Sequence, residues 1–170
     1  MDKLFEKISS YNLLNNLIPG GVFCFLLHRI CSIDILGNSV VENLFIYYFV
    51  GMVISRVGSI LIEPIAKKIK LVSYVDYNDY IVASKKDPKI DILLETSNLY
   101  RTIVAGGLLI LIVKLYICAG QKIQVFSYAT PYIIVIFFLI IFLFSFRKQT
   151  QYIKRRVDKA TQDTQGEDEK

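Results

Sequence analysis

The stretch that decides the fold is Glu42–Lys70, ENLFIYYFVGMVISRVGSILIEPIAKKIK. About twenty apolar-dominated residues carry one helix across a bilayer, and this run is apolar except for Arg56 until Glu63 closes it. A guanidinium at that depth is costly unless it is paired or hydrated. Gly51, Ser55, Gly58 and Ser59 recur at helical spacing beside Arg56, so a second backbone can approach closely on that side. The segment reads as a membrane span with one polar, close-packing face.

Composition extends that reading to the whole chain. Of its 170 residues, 54% are hydrophobic and none is tryptophan, which is too apolar for a soluble domain of this length. The fold class predicted is all-α: a polytopic membrane protein with four transmembrane helices and a short helical loop.

Working outward from the decisive span, the chain divides into five parts. Residues 1–16 carry Leu4, Phe5, Ile8, Tyr11 and Leu13 or Leu14 at three- and four-residue steps. That stripe predicts an amphipathic helix lying on the interface, or else one packed on the polar loop. Residues 17–62 form a first transmembrane hairpin, with spans at about Leu17–Leu36 and Val41–Ile62 around a tight turn at Gly37–Asn38–Ser39. Pro19 and Gly20–Gly21 sit in the first turn of the span or break the helix before it. Pro64 is expected to end or kink the second span.

Residues 63–101 are polar enough for water. Tyr74, Tyr77 and Ile81 mark an amphipathic helix, and Asp87–Pro88 a turn. A further helix is expected from Lys89 straight into the third span, Thr102–Ala119. Residues 102–146 form the second hairpin, turning at Gly120–Gln121–Lys122 into a fourth span, Phe126–Phe146. Residues 147–170 hold a basic segment and then TQDTQGEDEK, which has no apolar pattern and is expected to be disordered.

Lysine and arginine set the expected orientation. The central loop carries Lys67, Lys68, Lys70, Lys85, Lys86, Lys89 and Arg101. The C-terminal segment carries Arg147, Lys148, Lys154, Arg155, Arg156, Lys159 and Lys170, whereas the two short turns between spans hold only Lys122. The positive-inside rule then places both termini and the central loop in the cytoplasm. The net charge of +5 follows from that asymmetry. Membrane lipids are the partners it implies, through Lys67, Lys68, Lys70, Arg147, Lys148, Lys154, Arg155 and Arg156.

Enzyme chemistry is not expected. There is no HExxH motif, no glycine-rich phosphate loop and no Ser–His pair, and the catalytic, cofactor and metal sets are all predicted to be empty. His28–Arg29 reads as interfacial. Cys24 and Cys31 stand two turns apart on one helix, about 10.5 Å by helix rise, so they cannot bridge. Cys31 and Cys118 both fall near the outer face and could meet, although unpatterned cysteines in apolar surroundings usually pack. Gly51, Gly58, Gly106 and Gly107 are candidate helix-packing positions.

The polar residues within the spans are the candidate site. Lys114 is near enough to the outer interface to snorkel. Arg56 points away from the nearest headgroups, because Cα–Cβ bonds tilt toward the helix N-terminus. It therefore bonds Asn15, Asn16, Ser55 or Ser59 in the bundle, reaches a neighbouring subunit, or lines a wet vestibule. Glu63 and Arg101 enter the inner interface at matching depth and are expected to pair.

The run SRVGSILIEP (Ser55–Pro64), followed after a tyrosine-rich loop by NLYRT (Asn98–Thr102), resembles small four-span bacterial inner-membrane proteins, some of them antiphage effectors. The nearest named type is the Hailong effector. The resemblance implies a homo-oligomeric ion channel, a tetramer, controlled through a nucleotide ligand made by a cytosolic nucleotidyltransferase partner. Two functions follow as expectations. One is an oligomeric inner-membrane channel or membrane-disrupting effector gated through its cytosolic loop. The other is a non-conducting anchor or scaffold that recruits a cytosolic partner.

Overall fold

The computed structural model describes the backbone of residues 2–120 and 125–168 and, within these, the side chains of residues 13–120, 130 and 132–158. The described chain is all helical. Helix α1 spans Asp2–Cys31, α2 Val40–Val57, α3 Glu63–Lys68, α4 Tyr77–Lys86, α5 Lys89–Gly120 and α6 Val125–Asp168. A π-helical segment, Gly58–Ile62, joins α2 to α3 without a break. Four stretches are long and apolar enough to cross a membrane: Leu13–Cys31, Val40–Lys68, Lys89–Gly120 and Tyr132–Asp158. The protein is a multi-pass membrane protein.

Pro19 neither opens nor breaks the first span. Helix α1 runs through it, so the expected boundary between an interfacial helix over 1–16 and the span is absent. A proline inside a spanning helix is tolerated where a neighbouring helix holds the turn. Here that neighbour is α2. A Cβ on Gly20 would overlap the Tyr47 carbonyl, and one on Gly51 would overlap the Asn16 carbonyl. Bare glycines at both places let the two backbones touch, as small residues do at membrane helix crossings. The side chains of the stripe Leu4 to Tyr11 lie outside the described residues.

Helix α1 stops at Cys31 rather than near Leu36, and Ser32 takes the left-handed conformation that commonly ends a helix (φ 56°). Ser39 then caps α2. Its hydroxyl accepts from the Glu42 N–H at 3.1 Å, while the Glu42 carboxylate accepts from the Asn38 N–H at 3.2 Å. This is a reciprocal arrangement close to a capping box. At this hairpin end Leu27, Cys31 and Ile110 form a buried cluster. Lys114 does not dangle free there: its ammonium donates to the Ile30 carbonyl at 2.8 Å, a group that the end of α1 leaves without a helical donor. All three cysteines are free; Cys31 is buried and Cys118 exposed.

Pro64 does not end the second span. It has no N–H, and its ring crowds the carbonyl four residues back. The helix answers by widening: the Glu63 N–H reaches the Gly58 carbonyl, five residues away, and the chain continues to Lys68. It ends at Lys70 in the left-handed region (φ 58°). The Lys70 and Leu71 N–H groups return to Lys67 and Ala66 at 3.1 and 2.9 Å, the Schellman pattern with lysine where glycine is usual.

Helix α4 begins at Tyr77, three residues later than the stripe suggested, because the Asp76 carboxylate caps the Asn78 N–H at 2.8 Å. The long helix from Lys89 is present as expected. At 1.5 Å per residue its 32 residues span about 48 Å, so about 18 Å emerges from a hydrocarbon core of about 30 Å. Helix α6 also overruns its span. It continues through the basic segment to Asp168 instead of dissolving there, since no proline intervenes to stop it. The turn residues Gln121 and Lys122 lie outside the described residues.

Candidate functional site

The polar centre of the molecule is at the end of the bundle that carries Glu63, where α3, α5 and α6 converge. The Glu63 side chain is only 7% exposed, yet three cations surround it. Arg101 Nη1 of α5 lies 2.8 Å from Oε2, as expected from the sequence. Lys67 Nζ, one turn on, lies 2.9 Å from Oε1. Lys148 Nζ of α6 lies 3.1 Å from Oε2. Sequence reading placed Lys67 and Lys148 among the lipid-facing basic residues and missed both of these pairs.

Lys148 is drawn in by the widened turn. In that register the Ser59 carbonyl should receive the N–H of residue 64, and Pro64 has none to give. Lys148 Nζ supplies the donor instead, at 2.8 Å from the Ser59 carbonyl and 2.7 Å from its hydroxyl. One proline thus opens a helix and recruits a lysine from another span to close it. Such π-turns gather at functional sites.

Of the alternatives open for Arg56, the bonds within the bundle are not made. Arg56 is exposed and forms no hydrogen bond or ion pair with any of the described residues, Asn15, Asn16, Ser55 and Ser59 included. The close α1–α2 crossing leaves the asparagines on another side of α2. Arg56 instead borders a small cavity of about 30 Å³ together with Ser59, Ser145, Lys148 and Tyr152. That volume is enough for one water. The Ser145 hydroxyl is buried beside it with no partner among the described residues.

A larger cleft, about 280 Å³, opens between α3 and α6 and is lined by Lys67, Lys148, Arg155, Gln151, Tyr152 and Glu63. Arg101 Nε is buried nearby without a partner among the described residues. Lys67, Arg101 and Lys148 bond the Glu63 carboxylate, and Arg56 and Arg155 line the adjoining spaces. The surroundings are therefore strongly electropositive, suited to anionic groups and poorly suited to a metal cation. No group of three metal-ligating side chains gathers among the described residues.

The glycines divide. Gly51 and Gly58 are buried at helix contacts, the latter against Arg101 and Ala105, and Gly106 packs near Ile54 and Phe23. Gly107 faces open space, so it is not a packing position. Lys68, Lys70, Arg147, Lys154 and Arg156 are exposed.

The loop helix α4 touches this centre. Tyr77 sits against Tyr152 of the cleft wall with ring centroids 6.0 Å apart, and Lys67 lies 4.0 Å over the Tyr74 ring. On its other side Tyr80 donates to Asp91 Oδ1 of α5 at 2.8 Å. Burial, and then that hydrogen bond, pushes the Tyr80 phenol up to about 12. The loop is thereby tied both to the stalk of α5 and to the wall of the basic cleft.

No family model, curated protein or solved structure matches this chain.

Proposed function

We propose that the protein is an oligomeric channel or membrane-disrupting effector of the bacterial inner membrane, with both termini and the α4 loop in the cytoplasm. The observation that carries this reading is Arg56. A guanidinium within a span is expensive in hydrocarbon, and the described residues offer Arg56 a water-sized cavity and no hydrogen-bond partner. A second copy of the chain, or water held between copies, supplies what one chain lacks. The lipid-like α6 supports the same reading: only 6% of its most apolar window is buried within the chain, which leaves it free to pack against another protomer.

Gating enters through α4, whose Tyr77 leans on the wall that holds Lys148 and Tyr152. A partner or nucleotide-type ligand that moved α4 would act directly on the Glu63 cluster. The role in antiphage defence rests on the resemblance of Ser55–Pro64 and Asn98–Thr102 to such effectors.

Light scattering of the detergent-purified protein tests the reading. A particle of several chains is expected, and Arg56→Leu should shift it toward smaller species. A monomeric wild type would overturn the proposal in favour of a membrane anchor.

A further inference from the structure

We propose that the cleft between α3 and α6 binds the phosphate ester of an anionic lipid headgroup. Lipid binding there does not depend on whether the protein conducts.

Three features converge on a phosphate. The cleft holds Lys67, Lys148 and Arg155 against one carboxylate, and that carboxylate is already bonded to three cations. Arg155 is exposed and makes no ion pair or hydrogen bond with any described residue. Its planar fork of donors therefore remains available, a geometry that suits phosphate oxygens. Gln151 and Tyr152 add neutral donors on the same wall. At about 280 Å³ the space is far larger than a water and takes a headgroup phosphate with its glycerol.

The position of the cleft favours a lipid source over a soluble one. It lies between two spans where α6 changes from the apolar run ending at Phe146 to the basic run beginning at Arg147. That is the depth of the headgroup phosphates. Leu61 and Ile65, which flank Pro64 on the same helix, are 46% and 57% exposed, and Ile153 beside Tyr152 is 55% exposed. Acyl chains can run along these side chains while the phosphate occupies the cleft. Basic pockets between spanning helices bind anionic headgroups in this manner.

The site is built from the same residues as the structural cluster. Lys148 bonds Glu63 and the Ser59 carbonyl and also faces the cleft. An anion there would offset the surplus positive charge around Glu63 and strengthen the junction of α3, α5 and α6.

The test is lipid-dependent thermal stability of the full chain in neutral detergent, titrated separately with phosphatidylglycerol, phosphatidylcholine and inorganic phosphate. Half-maximal stabilisation is expected at a concentration of phosphatidylglycerol at least tenfold below that of phosphatidylcholine, with no protection by inorganic phosphate at millimolar concentration. Arg155→Gln should weaken the phosphatidylglycerol effect about fivefold, the size expected for one basic residue near a membrane surface. Lys154→Gln, on the same helix but outside the cleft, should leave it within twofold. Arg155 bonds none of the described residues, so its replacement should leave a folded protein to measure. Equal loss in Lys154→Gln would show diffuse charge attraction and overturn the site. Equal protection by inorganic phosphate would overturn the lipid assignment, and the absence of any preference between the two lipids would overturn both. None of these outcomes depends on subunit number, so the channel reading stands or falls separately.

Discussion

Replacing Glu63 by glutamine removes one charge from a cluster of four. The cost can be worked from exposure. Arg101 is 17% exposed, Lys148 28% and Lys67 45%. Leaving a buried charge without its partner costs about 3–5 kcal/mol, whereas an exposed pair contributes about 1 kcal/mol or less. Arg101 carries most of the penalty, because its Nε is already unpartnered. Lys148 keeps the Ser59 carbonyl and hydroxyl, and Lys67 can turn to water. Glutamine retains one oxygen able to accept from Arg101, so the loss should fall near the lower end, about 3 kcal/mol. Equilibrium unfolding in mixed dodecyl sulfate and neutral-detergent micelles, followed by helical circular dichroism, measures it. In a double-mutant cycle Arg101→Gln should recover about 1–3 kcal/mol of the Glu63→Gln loss. The Lys67→Gln change should cost less than about 1 kcal/mol. A Glu63→Gln loss below 1 kcal/mol, or strict additivity with Arg101→Gln, would refute the reasoning.

Gly20→Ala and Gly51→Ala each put a Cβ into a carbonyl of the facing helix and should destabilise by about 1–3 kcal/mol in the same unfolding assay. Gly107→Ala meets open space and should be neutral or slightly stabilising. Pro64→Ala restores an N–H for the Ser59 carbonyl. Lys148→Gln should therefore cost about 1.5–3 kcal/mol in the wild type and clearly less in the Pro64→Ala background. An unchanged cost would mean that the proline does not recruit the lysine. The Tyr80 phenol is held near 12 in the fold against about 10 in an unfolded chain. Its contribution to α4–α5 packing is complete below pH 10 and lost as pH rises through 12. The tyrosinate absorbance of wild type minus Tyr80→Phe should rise near pH 12, and a rise near pH 10 would contradict the packing.

Much of the fold was legible because a bilayer leaves few choices. Twenty apolar residues with satisfied backbone form a helix, and four such runs form a four-helix membrane protein. The long α5 was readable for the same reason, since nothing between Lys89 and Gly120 interrupts helical periodicity. Two of the errors came from prolines. Pro19 and Pro64 each looked like a boundary, and each lies within a continuous helix because a neighbouring span supports the turn. The glycine crossing at Gly20 and Gly51 in one case, and the Lys148 donor in the other, are tertiary facts that no local pattern contains.

The site was half legible. Matching depth at a shared interface predicted Glu63–Arg101, since a carboxylate and a guanidinium entering hydrocarbon together have few alternatives. Lys67 was signalled by its i,i+4 spacing from Glu63, the ordinary spacing of a helical ion pair, and that signal was passed over. Lys148 was not legible, because its partner is a carbonyl exposed only by the π-turn. For Arg56 the sequence left bundle partners, a neighbouring subunit and a wet vestibule open, and the rotation of α2 set by its glycine contacts turns it away from the asparagines. Cys31 is buried beside Ile110, about 12 Å of helix rise short of the exposed Cys118, so the two do not meet.

The most direct test of the central claim is the current across planar bilayers containing the purified full-length protein. Discrete conductance steps are expected from the wild type, and Arg56→Leu should change their size or abolish them while monomer folding by circular dichroism is retained. Silent bilayers with protein shown to be inserted and oligomeric, or steps unaltered by Arg56→Leu, would contradict a channel built around that arginine.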